Sequence, residues 1–94
     1  MANNNKLCIQ IDEFSDVSGQ NQITIESAVY VEIRNTGSSI VVYTTSSGQR
    51  TIQRNAIHQY FGTNEHLIQE YISFNFSAGP STVEVIQTRK YEKE

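Results

Sequence analysis

An apolar–polar alternation of period two runs from Gln22 to Arg34. Ile23, Ile25, Val29, Val31 and Ile33 take odd positions, while Gln22, Thr24, Glu26, Tyr30, Glu32 and Arg34 take even ones. On a pleated strand these two sets point to opposite faces, so one face is buried and the other wet. That pattern belongs to an antiparallel sheet, because strands of parallel sheets are covered on both sides and read as continuous apolar runs. The segment is longer than an ordinary strand. Its pattern is weakest at Glu26-Ser27-Ala28, where a bulge or corner is expected to let the chain bend or change sheets.

The remaining segments fit around this strand. Leu7, Ile9 and Ile11 alternate with Cys8, Gln10 and Asp12, which predicts a first strand over about 6–12, followed by a polar loop from Asp12 to Asn21. Asn35-Thr36-Gly37-Ser38 reads as a turn, and Ile40–Thr45 as the return arm of a hairpin. A symmetric turn on Thr36-Gly37 would set Tyr30 opposite Tyr43 on one face. Ser46–Gln49 is the next turn and Arg50–Arg54 a short strand with Ile52 inward. Ile68, Ile72, Phe74 and Phe76 share even positions, Ala78-Gly79-Pro80-Ser81 is a turn, and Thr82–Arg89 is the last strand, with Val83 and Val85 inward and Ile86 ambiguous.

Only 55–67 departs from period two. Asn55 can cap a helix, Ile57, Tyr60 and Phe61 recur at spacings of three and four, and Gly62 can end it, so a short helical segment is expected there. The whole is predicted to be all-β: a small antiparallel β-sandwich, or partly open barrel, of six to seven strands. It forms one domain over 1–94, with short polar arms at about 1–5 and 90–94.

Composition narrows the function classes. A chain of 94 residues has one small core and a thin stability margin, which partner subunits can widen. Only 18% of residues are charged, while 8 Asn, 8 Gln, 10 Ser and 8 Thr supply uncharged polarity. Such side chains suit a surface that meets another protein without much desolvation of charge. A net charge of −3 disfavours a dedicated nucleic-acid binder. One cysteine excludes an intrachain disulfide, and Cys8 reads as a small strand hydrophobe. The start lacks an apolar signal core and no apolar run spans a bilayer, so a soluble protein of the cytoplasm or of a virion is expected, with no membrane contact.

No constellation of reactive groups outweighs its ordinary reading. His58 and His66 stand eight apart, and the His66–Glu70 spacing would suit a metal on a helix only, whereas Glu70 falls in a strand. Both histidines are read as solvated loop residues. Asp12, Glu13 and Asp16 read as a solvated acidic loop rather than a calcium site. The serines lie outside any strand–turn–helix elbow, and no glycine-rich phosphate loop occurs, so no enzyme, metal or cofactor is expected. Arg50, Arg54, His58 and Tyr60 interleave cations and aromatics as single-strand binders do, but neighbouring glutamates dilute the field.

The candidate interface residues are therefore Tyr30, Arg34, Tyr43, Arg50, Arg54 and Tyr60. The function expected is that of a non-enzymatic structural or interaction subunit of a larger protein assembly. It would be a homo-oligomer or bind a host particle, with an accessory or decoration protein of a tailed-phage virion as the favoured setting. Two alternatives belong to other classes. One is a module for carbohydrate or single-stranded nucleic acid, built on a concave face carrying Tyr30, Tyr43 and Arg34. The other is a small inhibitor or regulator that docks on an enzyme.

Overall fold

The computed structural model describes residues 5–15, 21–63, 65–76 and 80–92. These form β1 (Asn5–Ser15), β2 (Gln22–Asn35), β3 (Val41–Thr45), β4 (Gly48–Ile52), β5 (Ile57–Phe61), β6 (Ile68–Asn75) and β7 (Thr82–Glu92). Every pairing is antiparallel. The sheet order is β1-β7-β2-β6-β3-β4, with β5 also beside β2. The expected all-β antiparallel class holds.

β2 makes two layers out of this one sheet. Its first half, 22–28, pairs with β6, whereas 30–34 pairs with β5 and 28–35 with β7. The hydrogen-bonded surface folds along this strand, so that β1-β7-β2-β5 faces β2-β6-β3-β4. Ring contacts prove the fold-over. Phe14 of β1 and Phe74 of β6 lie 5.4 Å apart by ring centroids, although β7 and β2 separate their strands within the sheet. Strands three places apart in a flat sheet would stand about 14 Å apart. The buried set of Phe14, Ile25, Val31, Ile33, Val41, Tyr43, Ile52, Ile72, Phe74, Val83 and Val85 fills the space between the layers.

The bend falls where the alternation is weakest. The register slips between Ile25 and Ala28 against β6, and again between Ala28 and Tyr30 against β7. Ser27 takes a left-handed φ of 55°. Ile25, Ala28 and Val31 are consequently buried at intervals of three. The two slips together restore odd parity, so Val31 and Ile33 face inward as their positions predict. Gly62 closes the outside of the bend: its N–H donates to Val29 O at 2.8 Å, and a Cβ there would lie 2.9 Å from Ala28 O.

Two expectations fail, for related reasons. No helix occurs over 55–67 among the described residues; Ile57–Phe61 is β5. The three-and-four spacing belongs to two strand faces, with His58 and Tyr60 inward and Ile57 and Phe61 outward. Asn55, expected as a cap, instead turns the chain at φ 60° so that β5 can take the open edge of β2. Nor do β2 and β3 form a hairpin: β3 pairs with β6 and β4, because β5 and β7 occupy both edges of β2 at that end. Tyr30 and Tyr43 therefore do not meet.

Other bounds shift without changing the class. Asp12–Ser15, expected in a loop, extends β1, and its ladder with β7 runs from Ser15↔Thr82 to Asn5↔Glu92. Asn5 and Lys90–Glu92, expected in polar arms, are strand. Asp16, and Ala78 and Gly79 of the expected turn, lie outside the described residues. In β7 the inward place after Val83 and Val85 goes to Gln87, and Ile86 turns outward. The buried Gln87 Oε1 has no hydrogen-bond partner among the described residues.

Asn35 ties the closed end of the sandwich. Its Nδ2 donates to Ser39 O at 2.7 Å and to Ile52 O at 3.2 Å, and its Oδ1 accepts from Gly37 N at 3.0 Å. Its own N–H donates to Ala56 O and its carbonyl accepts from Asn55 N, both at 3.0 Å. Gly37 lies against the start of β7, where an added Cβ would stand 2.5 Å from Thr82 N. Asn35→Asp removes both side-chain donors and sets a carboxylate against two carbonyls, so it should cost about 3 kcal/mol or more. Gly37→Ala should cost about 1–3 kcal/mol through overpacking. Urea unfolding measures both, and an unchanged midpoint for Asn35→Asp would contradict its role as the tie.

Candidate functional site

Two candidate residues, Tyr43 and Tyr60, meet between the layers, with the exposed Arg50 on the strand beside Tyr43. The β3–β4 register places Arg50 opposite Tyr43. The Tyr43 hydroxyl sits 2.7 Å from His58 Nδ1 and is hydrogen-bonded to the Tyr60 hydroxyl. Burial pushes the Tyr43 phenol pKa up, and the Tyr60 bond adds to the rise, so the group stays protonated. His58 is thus a strand residue half-buried against Tyr43, not a solvated loop histidine.

This cluster borders a cleft of about 190 Å³ walled by Ile25, Val31, Ile68 and Ile72, with Arg50 and Tyr60 on its lining. Glu70 also lines it, and its carboxylate accepts from Ser46 N at 3.0 Å and Ser46 Oγ at 2.6 Å. Its volume suits one ring-sized group, since a dry cavity of about 150 Å³ holds benzene.

The larger feature is the outer face of β1-β7-β2-β5. Pairing registers align its side chains in three rows. Ile9, Thr88, Tyr30 and Phe61 form one; Ile11, Ile86, Glu32 and Gln59 the second; Glu13, Glu84, Arg34 and Ile57 the third. Phe61 is 74% exposed, Ile9 68%, Ile11 59% and Ile57 50%, so most large exposed hydrophobics of the described residues share this one face. The Tyr30 and Phe61 rings pack with centroids 5.2 Å apart.

Glu32 organises the middle of that face. Tyr30 donates to its Oε1 at 2.5 Å, Arg34 Nε donates to its Oε2, and Gln59 Nε2 donates to the Tyr30 hydroxyl at 2.9 Å. The Tyr30 and Arg34 bonds hold the Glu32 carboxyl below its ordinary value of 4.5, against the opposing effect of burial. The bond to Glu32 likewise raises the pKa of Tyr30 and of Arg34. The charge on Glu32 is therefore spent on fixing the tyrosine and arginine in place.

Sequence and structure agree in part on the candidate residues. Tyr30 and Arg34 come together through Glu32, and Tyr43, Arg50 and Tyr60 come together at the cleft. The β1-β7-β2-β5 layer separates the two groups, so the concave face of Tyr30, Tyr43 and Arg34 does not form. Arg54 stands in the exposed turn between β4 and β5, and Tyr43 is buried rather than presented. Asp12 and Glu13 occupy neighbouring positions of β1 that point to opposite faces. His66 is exposed in a turn where its N–H donates to Thr63 O and Oγ1. Among the described residues no group of three His, Cys, Asp or Glu could hold a metal ion, and no helix is long and apolar enough to cross a membrane.

Sequence reasoning missed Ile9, Ile11, Ile57 and Phe61 as surface residues. The available signal was in β1, where Cys8 and Gln10 give the face opposite Ile9 and Ile11 no charge to hold it in water.

No protein-family model matches the chain, and no characterised protein matches it in sequence. A solved structure of PirA resembles it over 95% of this chain and 96% of that one, at 13% identity and a TM-score of 0.43.

The Glu32 cluster carries a pH dependence of definite sign. A carboxyl with a lowered folded pKa contributes stability that is complete above its unfolded value and is lost as pH falls through the folded one. The thermal midpoint should therefore fall between about pH 6 and pH 3. Glu32→Gln should be less stable at the upper end and show a shallower fall, as followed by circular dichroism. Parallel curves for the two proteins would contradict it.

Proposed function

We propose that this chain is a non-enzymatic structural subunit that assembles with copies of itself through the outer face of β1-β7-β2-β5. One observation carries the reading: Ile9, Ile11, Ile57 and Phe61 stand exposed on a single sheet face, with Tyr30 fixed beside Phe61. Monomeric soluble proteins seldom gather large apolar side chains this way, and rigid aromatics at the centre of a face are the residues that anchor protein contacts. Four polar members of the rows favour the same use, while Glu13 and Glu84 keep the third row charged. Thr88 and Gln59 need no desolvation of charge, and Arg34 and Glu32 already satisfy each other. A virus particle, that of a tailed phage included, is a setting in which so small an all-β subunit serves as an accessory or decoration protein; that setting follows from size and fold class alone.

Light scattering over a concentration series tests the reading. The wild-type chain should form a defined oligomer at micromolar concentration. Phe61→Ser should weaken the association about tenfold or more, as loss of a buried aromatic anchor does. A chain that remains monomeric throughout, or a Phe61→Ser variant that associates as well as wild type, contradicts it.

A further inference from the structure

Three strands end the described sheet with a free edge: β1 pairs only with β7, β4 only with β3, and β5 only with β2. Short edge strands offer little to a foreign strand, and β4 and β5 have five residues each. β1 has eleven. Its ladder to β7 is unbroken, without a bulge, and it contains no proline. None of the usual protections of a long edge is present over Cys8–Ile11, where no side chain is charged.

Burial adds a second observation. Cys8, Ile9, Gln10 and Ile11 are consecutive and all exposed, so this stretch is open on both faces as well as along its edge. The opposite layer does not reach it. It is the open edge of a layer four strands wide, since Gln87 and Thr88 of β7 pair onward with Val31 and Tyr30 of β2, and these with Tyr60 and Phe61 of β5.

The sequence of β1 suits a second copy of itself. In an antiparallel pair related by a two-fold axis, full overlap of Asn5–Ser15 puts Gln10 on the axis. Ile9 then lies opposite Ile11 of the second copy, twice, and Cys8 opposite Asp12. Moving the axis to Ile11 would set Ile9 against Glu13, moving it to Asp12 would set Asp12 against Asp12, and moving it to Ile9 would leave Phe14 and Ser15 of each strand unpaired. Apolar pairs directly opposite one another stabilise a ladder, and like charges there destabilise it. We infer that β1 pairs edge to edge with β1 of a second copy about a two-fold axis at Gln10, joining two outer faces into one eight-stranded surface. This rests on the self-assembly proposed above and names the strand that begins it.

A cysteine at the axis reads the register. In the full chain with Cys8→Ser, Gln10→Cys places two thiols directly opposite, at Cα separations of about 4.5–5.5 Å that a disulfide can bridge. Cys8→Ser with Glu13→Cys places its thiols about 20 Å apart along the strands. Gln10 is exposed, bonded only to Asp12 and Arg89 among the described residues, so the substitution should leave the fold intact. Under mild oxidation the Gln10→Cys protein should become mostly disulfide-linked dimer on a non-reducing gel, and the Glu13→Cys protein should not. Wild-type mass by light scattering at the same concentrations separates the two claims. Association of the wild type without a cross-link in the Gln10→Cys protein, or equal cross-linking of both variants, overturns β1 pairing and leaves the outer-face reading standing. A monomeric wild type with no cross-link in either variant overturns both.

Discussion

A strand has two edges, and β2 must serve three neighbours with them. It meets β6 along its first half, then β5 and β7 on either side of its second half. No straight strand can do this and still close a core. The bend at Glu26–Ala28 is the solution, and the two-layered architecture follows from it. Once β2 has turned, its outer half carries β7 and hence β1, and its other half carries β6, β3 and β4. Asn35 fastens the far end by bonding the backbone of the 36–39 loop and the end of β4 at once. Bend and tie together leave one layer with a covered inner surface and an outer surface rich in isoleucine and phenylalanine.

How much of this was legible in the residues depended on whether a local rule had one answer. Period two in β2, β6 and β7 identified strands and the inward set of Ile25, Val31, Ile33, Ile72, Phe74, Val83 and Val85, because burial enforces that pattern. The weakness at Glu26-Ser27-Ala28 located the bend for the same reason. The β2–β3 hairpin expectation had no such support, since a turn at Asn35–Ser38 is compatible with any partner and edge occupancy is decided by distant strands. β5 reads as helical because Ile57, Tyr60 and Phe61 satisfy a helical spacing while also dividing between two strand faces. Tertiary pairing with β2 settles that ambiguity.

The candidate site was legible in its members and not in their grouping. Tyr30, Arg34, Tyr43, Arg50 and Tyr60 all stand out in the sequence, yet they fall into an inner set and an outer set divided by the β1-β7-β2-β5 layer. Glu32 was invisible as an organiser: an even position on a wet face gave no hint that Tyr30 and Arg34 would both turn to it. The exposed isoleucines of β1 illustrate a different limit. With uncharged Cys8 and Gln10 opposite Ile9 and Ile11, the strand states its period clearly and its facing weakly.

Hydrogen–deuterium exchange, recorded on dilute and concentrated samples of the unmodified chain, bears most directly on the claim that one layer of this sandwich is built for self-assembly. That claim requires added protection at high concentration to fall on the free-edge amides of β1 and on the neighbouring strands of the same layer, while β3 and β4 exchange at unchanged rates. Protection that grows instead on β3 and β4, or nowhere, would contradict it.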